Sequence, residues 1–159
     1  MKRIENYFII VAIFSAFIAC GTSQNIVENS LLKKRIENRN YTFKANYVTP
    51  SSTYFQSRHL TSGYTLRIAP DSVIAYLPYF GRAYQAPMDT GEGGIKFVST
   101  KFVYDLNVVT KNNSWLINIR TKDTMQPINL RLDVYNDGTA TLYVADPSRQ
   151  PISYRGEIE

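Results

Sequence analysis

The stretch INLRLDVYNDGTATLYVAD, Ile128 to Asp146, decides how the rest of this chain is read. Ile128, Leu130, Leu132 and Val134 alternate with Asn129, Arg131 and Asp133, and Ala140, Leu142 and Val144 resume the alternation after a break. Successive side chains of a strand point to opposite sides, so a period of two gathers the apolar residues on one face. Such a ribbon is half buried and half wet, which is the pattern of antiparallel pairing. The break itself, Asn136-Asp137-Gly138, offers the positive φ values that a two-residue hairpin demands.

The same period runs through most of the chain. Tyr41, Phe43, Ala45 and Tyr47 fall on one face of YTFKANYV, with Thr42, Lys44 and Asn46 on the other. Tyr64, Leu66 and Ile68 alternate with Thr65 and Arg67. Phe102, Tyr104, Leu106 and Val108 form another such face, as do Trp115, Ile117 and Ile119. Ile152, Tyr154 and Ile158 close the chain. Val73 to Leu77 is apolar almost throughout and reads as a strand buried on both sides. Ala69-Pro70-Asp71-Ser72, Lys111-Asn112-Asn113 and Asp146 to Pro151 supply the links. Thr49 to Gly63 is irregular and long, and its Tyr54 and Phe55 require burial or a partner.

Eight or nine strands in one domain cannot lie as a flat sheet without exposing edges. The expectation is an all-β fold in which an antiparallel meander closes into a barrel-like, lipocalin-like sheet, with one N-terminal helix packed against one end. A two-sheet β-sandwich is the alternative. The helix is expected in IVENSLLKKRIENRN, with Asn25 as its cap and Glu28 three residues on in a capping-box arrangement.

The N-terminus reads differently. Lys2 and Arg3 precede an apolar run from Tyr7 to Ala19, which ends in Ala19, Cys20 and Gly21. A charged start, a short apolar stretch and small residues at the exit make a secretory signal, residues 1–19. Cys20 is the sole cysteine and stands where bacterial lipoproteins carry their lipid. The expected organisation is a signal, a lipidated tether over residues 20–25 and a single β-rich domain over residues 26–159. Two or more acyl chains hold a protein to a membrane for long times, whereas one holds it marginally. Gly21 to Asn25, the residues directly after the cysteine, contain no acidic residue.

Several chemistries lack their residues. His59 is the one histidine, so a multi-histidine metal site within the chain is excluded, and no nucleophile-elbow sequence accompanies it. With Cys20 taken by lipid, neither a disulfide nor a cysteine metal site remains. GEGGIKF, Gly91 to Phe97, fails as a phosphate loop because no Ser or Thr follows its lysine. No cofactor is expected, and a net charge of +5 without a recognition motif gives nucleic-acid binding little support. Asp71, Asp89, Glu92 and Asp105 leave a carboxylate-based hydrolase of envelope polysaccharide as the alternative function.

The remaining signal is aromatic. SVIAYLPYFGRAYQAP, Ser72 to Pro87, carries Tyr76, Tyr79, Phe80 and Tyr84 around Pro78 and Gly81, with Arg82 beside them. Pro78 removes a ladder donor and Gly81 permits a bend, so these rings belong at the rim of the sheet. There they either plug the open end or floor a pocket with Arg82 as its fixed charge. Tyr76, Tyr79, Phe80, Arg82 and Tyr84 are the candidate ligand-binding residues. The function expected is a non-catalytic binding or assembly module, its partner a small amphipathic ligand or an envelope protein.

The run Leu66 to Phe97, with YLPYFGRAY, the following Ala86-Pro87 and GGIKF, resembles an uncharacterised family of secreted Bacteroidetes proteins known as domain of unknown function 4251. The likeness extends to the C-terminal spacing of Gly138, Ala140, Leu142 and Val144, and of Ile152, Tyr154, Gly156 and Ile158. The resemblance implies an envelope-located, often lipid-anchored β-domain and brings no activity, cofactor or catalytic residue with it. In bacteria of that kind surface export of lipoproteins is linked to acidic residues soon after the cysteine, so the resemblance, with none in Gly21 to Asn25, implies the periplasm-facing side of the outer membrane.

Overall fold

The computed structural model describes residues 23–61, 63–85, 93–110 and 114–159. The expectations placed on Cys20, Asp89, Gly91, Glu92 and Lys111 to Asn113 lie outside the described residues. Among the described residues one helix, α1 (Ser23–Glu37), precedes ten strands: β1 (Tyr41–Pro50), β2 (Arg58–His59), β3 (Thr65–Ile68), β4 (Val73–Leu77), β5 (Ile95–Ser99), β6 (Phe102–Val109), β7 (Ser114–Thr121), β8 (Asn129–Val134), β9 (Thr139–Ala145) and β10 (Ile152–Ile158). The helix begins at Ser23, so Asn25 stands inside it rather than capping it. It ends in paired turns from Arg39 N–H to the Ile36 carbonyl and from Asn40 N–H to the Arg35 carbonyl, with Arg39 at φ +52°. That is the Schellman arrangement, with arginine where glycine is usual.

Neighbouring strands follow the order β5-β4-β3-β1-β10-β9-β8-β7-β6, all antiparallel, with β2 paired to β1 alone. Two meanders, β3 to β5 and β6 to β10, are thus joined by β1 pairing with the last strand. Alternating directions make the first and ninth positions of this path, β5 and β6, run the same way. Only Thr100 and Lys101 separate them, so β6 starts where β5 stops. One bent ribbon, pairing with β4 before the bend and β7 after it, nearly closes the sheet into a barrel. Asp123, in the link after β7, holds the bend. Its carboxylate accepts the Ser99 hydroxyl, the Thr100 N–H at 2.8 Å and the Lys101 N–H at 3.0 Å. Those bonds, the Ser99 hydroxyl foremost, lower its pKa to about 2.

The interior is filled. Tyr41, Phe43, Leu66, Ile68, Ile117, Leu132, Leu142 and Tyr154 are completely buried, and Leu32 and Ile36 of α1 join the same core. A barrel of this strand number has an interior just wide enough for side chains to occupy. Tyr41 and Tyr104 share a hydrogen bond between hydroxyls at 3.1 Å, and burial raises both pKa values. Buried Tyr41 and half-buried Tyr104 thus meet each other's polar ends.

Three expectations need correction. Val73 to Leu77 is not buried on both faces: Val73, Ala75 and Leu77 point inward while Ile74 and Tyr76 are exposed. No second layer covers the outside of a barrel, and an apolar run does not reveal that. Tyr47 leaves the inward face because β1 has a bulge between Ala45 and Tyr47, after which Val48 is buried instead. At that bulge Gly156 faces Ala45, and a Cβ on it would lie 1.9 Å from the Lys44 carbonyl oxygen. Finally, the β8–β9 turn has only Gly138 at positive φ, +82°, with Gly138 N–H bonded to the Tyr135 carbonyl. It is a three-residue loop rather than the two-residue type.

Candidate functional site

The rim segment that follows β4 is built downward from its backbone. The Pro78 carbonyl accepts the hydroxyl of buried Tyr154 at 2.6 Å. Pro78 has no N–H to spend on a ladder, and this bond fixes where the chain leaves the sheet. The Tyr79 hydroxyl then lies 3.0 Å from the carbonyl oxygens of both Arg82 and Gln150, so its ring folds back beneath the bend. A Cβ at residue 81 would stand 2.5 Å from that hydroxyl, which is why glycine occupies the position. Beyond it, Gln150 N–H donates to the Arg82 carbonyl and Tyr84 N–H to the Ser148 carbonyl, and Ala83 bridges Arg149. Residues 78–85 are therefore zipped to the β9–β10 link.

Arg149 organises that link. Its Nε lies 2.8 Å from Asp146, its Nη1 donates to the Gly94 carbonyl at 3.2 Å, and its guanidinium sits 5.0 Å from the Tyr79 ring centre. Both partners of the ion pair are mostly buried, so the cation ties β5, the rim segment and the link together. Burial raises the Tyr79 pKa, with nearby Arg149 acting in the opposite sense.

The candidate residues divide. Tyr76 points outward from β4, with its ring 5.8 Å from Tyr64 in a stack and Lys96 beside it. Tyr79 and Phe80 pack on the core and cover the barrel end. Phe80 also carries Arg58 of β2 over its face at 4.4 Å, bringing the irregular loop after β1 to the same end. Arg82 and Tyr84 are exposed. Tyr54, expected to need burial, is 94% exposed on that loop. The end therefore presents Arg58, Arg82 and Tyr84 over a floor of Tyr79 and Phe80, and the loop that carries Tyr54 leaves β1 at Pro50, opposite Ile152 where the β9–β10 link ends. Sequence reasoning missed Arg58, Asp146 and Arg149, because their partners lie far away along the chain.

Catalytic candidates do not converge here. Asp71 accepts the Ser72 hydroxyl in the β3–β4 turn, and Asp105 points outward from β6. His59 sits edge-on against Tyr47, with ring centres 4.9 Å apart. Among the described residues no group of three or more histidine, cysteine, aspartate or glutamate side chains is placed to hold a metal ion. No helix among them is long and apolar enough to cross a membrane.

Comparison with protein families matches residues 24–158 to the domain of unknown function DUF4251. A crystal structure of a DUF4251 family protein from Bacteroides eggerthii is similar in fold, with a TM-score of 0.62 at 13% sequence identity, covering 83% of this chain and 87% of that one. Comparison with curated proteins found no match.

Proposed function

This chain belongs to the DUF4251 family, and from that premise we propose that it is an envelope lipoprotein acting as a non-catalytic binding or assembly module. Its anchor is lipid on Cys20 at the periplasm-facing side of the outer membrane, and its working surface is the sealed end of the barrel. One observation carries the reading. Tyr54, on the loop that leads to Arg58, and Tyr84, two residues from the exposed Arg82, are 94% and 62% exposed, and neither ring belongs to the core. Tyrosine and arginine are the residues that dominate protein interfaces, because each offers apolar area together with fixed polar atoms.

A filled interior favours an envelope protein over a small amphipathic ligand, since buried core side chains occupy the space beneath the rim. The test compares wild type with Tyr54→Ala/Tyr84→Ala in capture from a bacterial envelope extract, with thermal midpoints measured alongside. Loss of one specific protein band at an unchanged midpoint supports the reading. Equal capture by both proteins overturns it.

A further inference from the structure

The outer face of β6 to β9 carries a second, chemically distinct surface. The strand registers align Asp105, Asn118, Arg131 and Tyr143 in one cross-strand row, and Arg120 and Asn129 in the next. All six are exposed and line a groove of about 350 Å³. With strands about 4.8 Å apart, four of them give the row a length of roughly 14 Å.

All of these side chains but Arg131 are uncommitted. Asp105, Asn118, Arg120, Asn129 and the Tyr143 hydroxyl make no side-chain hydrogen bond or ion pair among the described residues. Three other aspartates are engaged: Asp123 by the bend, Asp137 by Thr139 and Asp146 by Ser148 and Arg149. The groove is also balanced in charge. Arg131 is paired with Asp133 at 3.3 Å, and Asp105 offsets Arg120.

We propose that this groove binds a short neutral saccharide along the Asp105–Asn118–Arg131–Tyr143 row. Carboxylate, amide and guanidinium groups each present two in-plane polar atoms, which match adjacent hydroxyls of a sugar ring. Tyr143 closes the row with a face for the ring's C–H groups and a hydroxyl for its edge. Charge balance removes the attraction that a phosphate or an acidic glycan would require. The volume lies at the lower end of the range for small-molecule sites.

The test is a titration of the full chain with maltotriose, cellotriose and mannotriose, followed by backbone amide NMR shifts, with inorganic phosphate and a glucuronate disaccharide as anionic probes. At least one neutral trisaccharide is expected to shift the amides of Asn118, Arg120, Asn129, Arg131 and Tyr143. Asn118→Ala/Tyr143→Ala is expected to weaken that binding at least tenfold, about 1.4 kcal/mol, at an unchanged thermal midpoint. Tyr54→Ala/Tyr84→Ala is expected to leave it intact, which separates this site from the barrel end. Absence of shifts with all three neutral sugars, shifts with the anionic probes alone, or shifts confined to the barrel end each overturn the proposal.

Discussion

The sealed end of the barrel and the outer face of β6 to β9 are both rich in polar and aromatic side chains, yet they use them in opposite ways. At the end, loops must replace the regular ladder, and each backbone group there needs a partner. Tyr79, Arg149, Asp146 and Gln150 are consumed in meeting that need. On the outer face the ladder supplies the backbone partners of β7 to β9 and of one edge of β6, so Asp105, Asn118, Arg120 and Asn129 are left over. A polar residue at an irregular closure is therefore evidence of architecture first. One projecting from a regular strand is available for recognition.

The largest effect tests whether both surfaces stand on one closed sheet. Gly156→Ala drives a Cβ into the Lys44 carbonyl across the β1–β10 junction, and its cost is expected to exceed about 3 kcal/mol, measured by urea unfolding. A near-neutral Gly156→Ala would show that β1 and β10 separate freely. Tyr79→Ala comes next, removing a half-buried ring and its hydroxyl bonds, with an expected loss of about 2 kcal/mol. A loss confined to binding would return Tyr79 to the ligand surface and erase the contrast drawn above.

Asp123 sharpens the same contrast through pH. Its folded pKa of about 2 is below the usual carboxylate value near 3.9, so its contribution to stability is fully present above about pH 4 and vanishes as pH falls through 2. Thermal midpoints of wild type should drop across that window more steeply than those of Asp123→Asn. Parallel curves would remove Asp123 from the clamp on the β5–β6 bend. Tyr154→Phe, which deletes only the bond to the Pro78 carbonyl, is expected to cost about 1 kcal/mol. Smallest of all, Tyr84→Ala and Asn118→Ala should each change stability by less than about 0.5 kcal/mol, because neither side chain is packed into the core.

The family-like motifs fall on the architectural side of this divide. In YLPYFGRAY, Pro78 receives Tyr154, Tyr79 ties two loops and Gly81 makes room for the Tyr79 ring. Tyr154 and Gly156 belong to the C-terminal spacing that shares the resemblance. These segments are far apart in the chain and meet at the closure of the barrel, which gives the pattern a structural reason without any shared activity.

Alternation from Ile128 to Val144 was enough to place that hairpin, its buried face and the antiparallel class, because side-chain parity is a local property of an extended chain. The aromatic cluster was legible as a cluster. Its division was not, since Tyr76 and Tyr79 part company through the outward face of β4 and the bend after Pro78. The bulge in β1 was equally hidden: nothing in YTFKANYV announces that Gly156 will oppose Ala45 and transfer burial from Tyr47 to Val48. The groove depends on four strands lying in one register, so its residues become neighbours only once the sheet has formed. Local pattern thus set strand identity and inward faces. Partners across long loops, the closure of the sheet and the sorting of rings into structural and exposed came from the tertiary fold, because those contacts join residues whose separation along the chain carries no local signal.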